Sequence, residues 1–470
     1  MSAEHEESLY QARVAIHPKS VKGVFRTFKT SMLLLAFAVF FLLPWLRWDR
    51  GDGPSQAVLF DLPGRRFYIF DLIVHPQDMF LLAGALIIFA WFLFFVTGVV
   101  GRAFCGYFCF QTLWTDAFMF IERWVQGDRQ RRLKIEKLPW NVEKITMKGL
   151  TWLAWLAFAW WSGFTFTAYW TDAPAFFGNF FTGEAASAAY ITTGLLTFST
   201  FVVAGFAREQ VCIYMCPYSR FQTVMFDKET LIPAYDFKRG EGEKGRHSLG
   251  RGLKTQDERK AAGHGDCVDC GLCVQVCPTG IDIRDGLQIA CINCGLCIDA
   301  CNEIMDKQGW ERGLIRYASE QEIETGVKPR VLKPKTLGYG AAIAVVFGFL
   351  IYGVLHQAPM DFAIDQVRNP LAVTLGDGRV QNSYEIKINN KMTHPLKLSL
   401  GVDGLQDAEV EIAGGKKDIE VASNNLLRLL VRVRRPAGPA GSQQDFSFVL
   451  TDKDGKIDPV SMHTTFNMPR

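Results

Sequence analysis

Five apolar runs without a single charge stand out along the chain, at residues 30–46, 79–101, 149–171, 185–207 and 336–360. Four of them are 23 residues or longer. At 1.5 Å rise per residue, about 20 helical residues cross a hydrocarbon core roughly 30 Å thick. All five are therefore predicted to be spanning helices. The first is the shortest and carries Pro44 and Trp45 near its end, but Leu33, Leu34, Leu35, Phe37, Phe40 and Phe41 keep it apolar. After residue 360 the period changes from helical to two. Val380, Tyr384, Ile386 and Ile388 alternate with polar neighbours, as do Leu396, Leu398 and Leu400, then Val410 and Ile412. Leu429, Val431 and Val433 follow, then Phe446 and Phe448, with turn pairs such as Asp377-Gly378, Asp403-Gly404, Gly414-Gly415 and Asp454-Gly455 between the strands. About seven short strands in this stretch predict an antiparallel, Ig-like β-sandwich.

Basic residues set the orientation. Arg13, Lys19, Lys22, Arg26 and Lys29 precede the first run. Arg102, Arg123, Arg129, Arg131, Arg132, Lys134, Lys137, Lys144 and Lys148 lie between the second and third. The 172–184 connection has neither Lys nor Arg. The amino terminus and the region after 207 are thus expected in the cytoplasm, and the tail after 360 outside, in a multi-pass membrane protein. The polar start and the missing small-residue cleavage site argue against a removed signal. The expected division is a cytoplasmic segment 1–29, a four-helix membrane domain 30–207, a cytoplasmic segment 208–238, a mobile linker 239–265, a cluster domain 266–335, a fifth span 336–360 and an outer β-domain 361–470.

Composition refines this picture little. Mean hydropathy over the 470 residues is only +0.08, an average of membrane runs and soluble regions. A net charge of +3 gives no reason to expect a nucleic acid partner. The 12 cysteines are too few for a disulfide scaffold. All of them lie in segments assigned to the reducing side.

Eight form two runs. Cys267-x2-Cys270-x2-Cys273-x3-Cys277-Pro278 is followed by Cys291-x2-Cys294-x2-Cys297-x3-Cys301. This is the bacterial two-cluster ferredoxin spacing, in which the fourth cysteine of each run serves the other cluster. The expected ligand sets for two [4Fe-4S] clusters are Cys267, Cys270, Cys273 and Cys301, and Cys291, Cys294, Cys297 and Cys277. Gly271 and Gly295 follow the second ligand, where the backbone must come close to the cluster. Structural zinc would use two pairs rather than two runs of four.

The other four cysteines repeat a unit. Cys105-Gly-Tyr-Phe-Cys109 begins just past the second apolar run and Cys212-Ile-Tyr-Met-Cys216-Pro217 just past the fourth. Each follows an arginine, Arg102 or Arg208. Each is followed by Gln-Thr, at 111–112 and 222–223, and by Asp116 or Asp227. Four convergent thiolates suit a soft metal, Cu(I) above all, or a third iron centre; small buried hydrophobes near helix ends are the plain alternative. Met215 or Met225 would add a thioether. None of the eight histidines is mid-span, so a membrane haem held by paired His is not expected. Outside, Met360, Met392, Met462 and Met468 read as packing rather than copper ligands.

The five spans, the two Cys-x3-Cys motifs, the double ferredoxin run and the outer β-domain together resemble the FixG/RdxA/CcoG family, the membrane iron–sulfur accessory proteins of cbb-type cytochrome oxidase. Cys294-Gly-Leu-Cys297-Ile-Asp-Ala-Cys301, Met305-Asp-Lys307 and Arg312-Gly-Leu-Ile-Arg-Tyr317 carry the resemblance most strongly. Phe110 stands where the second motif has Pro217. The resemblance implies reduction of Cu(II) to Cu(I) in the cytoplasm for the oxidase, with a soluble electron donor and with assembly factors or oxidase subunits as partners. The residues themselves indicate membrane-bound iron–sulfur electron transfer, with copper at Cys105, Cys109, Cys212 and Cys216 as the first expectation. A ferredoxin-type quinol dehydrogenase subunit and a non-enzymatic assembly scaffold with an oxygen-sensing cluster domain are the alternatives.

Overall fold

The structure, a computed structural model, describes residues 15–469 apart from 51, 52, 250, 251, 254, 331, 357, 393, 416, 417, 424 and 456. Arg13 and His5 lie outside the described residues. The chain divides into two compact units, the first reaching Leu46 and including Val58–Arg65 and Pro76–Leu350. The second comprises Arg47–Ala57, Arg66–His75 and Ile351–Arg470.

Seven helices organise the first unit: α1 Val24–Leu42, α2 Met79–Val100, α3 Phe110–Gln126, α4 Val142–Ala168, α5 Ser187–Val202, α6 Leu296–Gln308 and α7 Pro334–Leu355. Among the described residues, four segments are long and apolar enough to cross a membrane: Val24–Trp45, Met79–Val100, Ser187–Ala207 and Pro334–Leu355. The run at 149–171 is helical within α4, but its Trp, Thr, Ser and Gly residues keep it out of this set. Those small residues have another use. A Cβ on Gly163 would lie 2.8 Å from the Thr193 carbonyl oxygen, and Thr167 and Thr193 share a hydrogen bond of 2.9 Å. Helices that pack in an apolar medium use such small-residue seams.

Helix boundaries shift from the expected runs. α1 begins at Val24 because the Asp299 carboxylate accepts from the backbone N–H of Phe25 and Arg26, at 3.3 and 2.7 Å. Lys29 therefore lies inside the helix, fully buried, 3.8 Å from Asp116. α7 ends at Leu355 and a strand starts at Met360.

The stretch 239–265 is not a free tether. Its Arg259 is fully buried, donates to the Gly265 and Cys267 carbonyls at 2.9–3.1 Å and lies over the Trp310 ring. Arg239 pairs with Asp266 at 2.7 Å. A planar guanidinium with several donors holds loop carbonyls together, so a polar composition here does not mean a mobile chain.

The second unit contains the β-sandwich. Its strands are β1 Met360–Gln366, β2 Val373–Thr374, β3 Arg379–Asn390, β4 Leu396–Asp403, β5 Glu409–Ile412, β6 Ile419–Val421, β7 Leu426–Pro436, β8 Gln443–Asp452 and β9 Val460–Asn467. One sheet runs β5-β7-β3-β1 with β2 beside β3, and the other β6-β4-β8-β9. All pairs are antiparallel, with Tyr384 opposite Val431 and Phe448 opposite Val402. Val380, Tyr384, Ile386, Ile388, Leu398, Val431, Val433, Phe446 and Phe448 form the core. Met360 and Met468 are buried in it.

Candidate redox site

The two cysteine runs adopt the same backbone path. Asp269 and Gly271 in the first, and Asn293 and Gly295 in the second, all have positive φ, between 48° and 70°. The left-handed turn at each glycine starts a helix, Leu272–Gln275 or α6. Cys267, Cys270, Cys273 and Cys301 line one small pocket with Tyr235 and Met305. The Cys301 thiol is an electrostatic neighbour of Cys273, Cys267 and Cys270, and Cys297 of Cys294, Cys291, Cys277 and Cys273. Cys297 thus connects the two groups.

Burial pushes the Cys273, Cys291 and Cys301 thiols up to about 12. Backbone N–H groups of Asn293, Leu296 and Ile315 oppose this by donating to Cys291, Cys294 and Cys301. Largely buried thiols with N–H donors, one set of four around a shared pocket, fit [4Fe-4S] clusters, whose iron would supply the positive charge that thiolates require here.

The two Cys-x3-Cys units also match locally. Cys109 is the N-cap of α3 and Cys216 the N-cap of Pro217–Val224, both in extended conformation. Cys105 sits in the short helix Ala103–Tyr107 and Cys212 in a π turn, Val211–Met215. The Cys212 thiol is an electrostatic neighbour of Cys109, Cys105, Arg102 and Cys216, and burial pushes it up to about 12. Burial likewise raises Cys105, against the guanidinium of Arg102. Among the described residues, no three His, Cys, Asp or Glu side chains close tightly enough to hold a single metal ion.

The repeated glutamines reach across from one unit to the other. Gln111 donates to the Val203 and Arg208 carbonyls at 3.2 and 3.0 Å, and Gln222 Oε1 accepts from Cys105 at 3.0 Å. The repeated aspartates hold cations at the foot of a helix. Asp116 faces Arg26 and Lys29, and Asp227 accepts from Lys333 at 2.6 Å.

The first unit is seated directly on the second ferredoxin run. Tyr107 donates to the Cys294 carbonyl at 2.9 Å, Arg102 to that of Ile289 and Tyr317 to that of Asn293. A Cβ on Gly106 would lie 2.7 Å from the Ile292 oxygen and 3.0 Å from the Cys294 Cα. Only glycine permits this approach.

Three known family descriptions match the chain: a 4Fe-4S dicluster domain over residues 207–320, a 4Fe-4S binding domain over 82–132, and the IG-like fold at the C-terminal of FixG over 350–469. RdxA of Cereibacter sphaeroides is 40% identical over 96% of both chains. RdxB of the same organism is 42% identical over 87% of this chain and 86% of its own. The nitrogen fixation protein FixG of Rhizobium meliloti is 38% identical over 98% and 94%. The chain belongs to the FixG/RdxA family.

It is an iron–sulfur redox protein of that family. In this FixG/RdxA-family chain, sequence reasoning missed Arg102 and Asp299 as docking groups and Asn293, whose Nδ2 donates to the Val100 carbonyl at 3.2 Å. The signal for Gly106 was present, a glycine inside a cysteine pair, but its contact lies almost two hundred residues away in sequence.

Proposed function

We propose that this chain spans a bacterial inner membrane five times, α4 included, with the cluster domain cytoplasmic and the sandwich periplasmic. There it reduces Cu(II) to Cu(I) for assembly of a cbb-type oxidase. The carrying observation is the neighbourhood of Cys105, Cys109, Cys212 and Cys216 around Arg102, seated against the Cys291–Cys297 run. When bound, [4Fe-4S] clusters supply one-electron transfer. The chain's own residues do the rest. Drawn together on one ion, the four sulfurs would favour Cu(I) over Cu(II), which raises the copper potential and drives the single-electron gain. Arg102 stabilises thiolates that burial alone would protonate. Tyr107 and Gly106 keep the copper site close to the second run. Anaerobic Cu(II) reduction by protein first reduced with dithionite and then freed of it, followed with a Cu(I)-specific chelator, tests this reading. Product from wild type and none from a Cys212→Ser/Cys216→Ser variant of unchanged iron content supports it.

The match of a 4Fe-4S binding description to residues 82–132 favours a second reading, because Cys105 and Cys109 are the cysteines it contains. A third iron–sulfur centre would then occupy the pairs. Iron counting separates the two, at about eight atoms per chain for two clusters and about twelve for three.

A further inference from the structure

A cleft of about 440 Å³ lies at the ends of α3, α4 and α5 and is lined by none of the twelve cysteines. Trp140, Trp152, Trp155 and Phe206 contribute rings to its wall, and His17 and Glu122 contribute polar groups. The π turn Val203–Ala207 after α5 forms one side, where such turns often mark function. Gly205 in that turn makes room for a ring, because a Cβ there would meet Trp155 Cε3 at 3.1 Å.

His17 is the informative group. Its side chain is 6% exposed and its Nδ1 lies 3.5 Å from Glu122 Oε1. Among the described residues, neither its Nδ1 nor its Nε2 has a hydrogen-bond partner. With Nδ1 turned toward the Glu122 carboxylate, Nε2 is the ring nitrogen left to meet a ligand. An unpartnered ring nitrogen in a ring-lined cavity calls for a hydroxyl on a flat ligand.

The cations of the wall are engaged within the protein. Lys148 is held by Glu136 at 2.7 Å, Lys144 by the Glu136 and Leu138 carbonyls at 2.8 and 2.7 Å, and Arg208 by Glu122 at 2.8 Å. With each cation engaged, a neutral ring remains as the favoured occupant.

We infer that this cavity binds the headgroup of a membrane quinol, which replaces a soluble protein as the electron donor. The inference rests on the proposed copper reduction. Oxidation breaks two O–H bonds of the quinol. One proton goes to His17 Nε2 and the other to water, and the two electrons reduce two Cu(II) ions to Cu(I).

The test uses the full chain with its clusters in phosphatidylcholine nanodiscs. Decylubiquinone binding is measured by calorimetry, and Cu(II) reduction is driven by decylubiquinol or, separately, by prior reduction of the clusters with dithionite that is removed before copper is added. Saturable binding is expected, weakened at least tenfold in both His17→Gln and Trp152→Ala. Quinol-driven reduction falls at least tenfold in these variants while the dithionite-driven rate stays within twofold. Absent or unaltered quinone binding, or binding abolished equally by phosphatidylglycerol, overturns the site. A wild type that binds quinone as described but fails with dithionite would overturn the copper reading instead and leave the binding site standing.

Discussion

The Tyr107 hydroxyl donates to the Cys294 carbonyl at 2.9 Å, tying a residue inside one cysteine pair to a residue of the second ferredoxin run. That bond joins two motifs that lie far apart in sequence. It makes the distance between them a property of the fold rather than of chance encounter.

Gly106→Ala is expected to disrupt this junction more than Tyr107→Phe. The alanine Cβ would press on the Ile292 oxygen at 2.7 Å, and backbone on that side has little room to yield. Tyr107→Phe removes one buried hydrogen bond, worth about 1 kcal/mol. Thermal melts should rank the variants in that order. Iron content should hold in both, and copper reduction should fall mainly in Gly106→Ala.

Arg259 supports the carbonyl of a proposed cluster ligand directly, that of Cys267 at 2.9 Å. Arg259→Met leaves the Gly265 and Cys267 carbonyls without these donors and removes the cation from the Trp310 ring. Loss of the cluster at Cys267, Cys270, Cys273 and Cys301 should lower iron from about eight to about four atoms per chain. Unchanged iron would show that the polar 239–265 stretch is incidental to that site.

Burial alone would raise the Glu122 carboxyl, but His17, Arg208 and Arg132 hold it down at about 2. A depressed carboxylate stabilises the fold above its unfolded value, near 4.3, and the benefit is lost as pH falls toward the folded value. Glu122→Gln should therefore cost stability at pH 7, about 3–5 kcal/mol for a broken buried ion network. The difference from wild type should shrink as pH drops from about 4 to about 2. Helix circular dichroism during urea unfolding at several pH values measures it.

Much of this was legible in sequence where the signal is local. Cysteine spacing depends on positions a few residues apart, and the alternation of Val380, Tyr384, Ile386 and Ile388 matches the buried face of β3. The short strands β2 and β6 were harder to see, because two or three residues hold too little alternation. The tether at 239–265 misled because Arg259 is neutralised by carbonyls and an aromatic ring, partners that composition does not reveal. The docking of Cys105–Cys109 on Cys294 was invisible for the same reason. Its hydrogen bonds connect residues that no short window contains.

The most direct test is anaerobic Cu(I) production by the Cys212→Ser/Cys216→Ser variant, measured beside its iron content. Copper acting at the four paired cysteines requires that Cu(I) production be lost while about eight iron atoms per chain remain. Undiminished Cu(I) production, or a wild type holding about twelve iron atoms that falls to about eight in the variant, would contradict it.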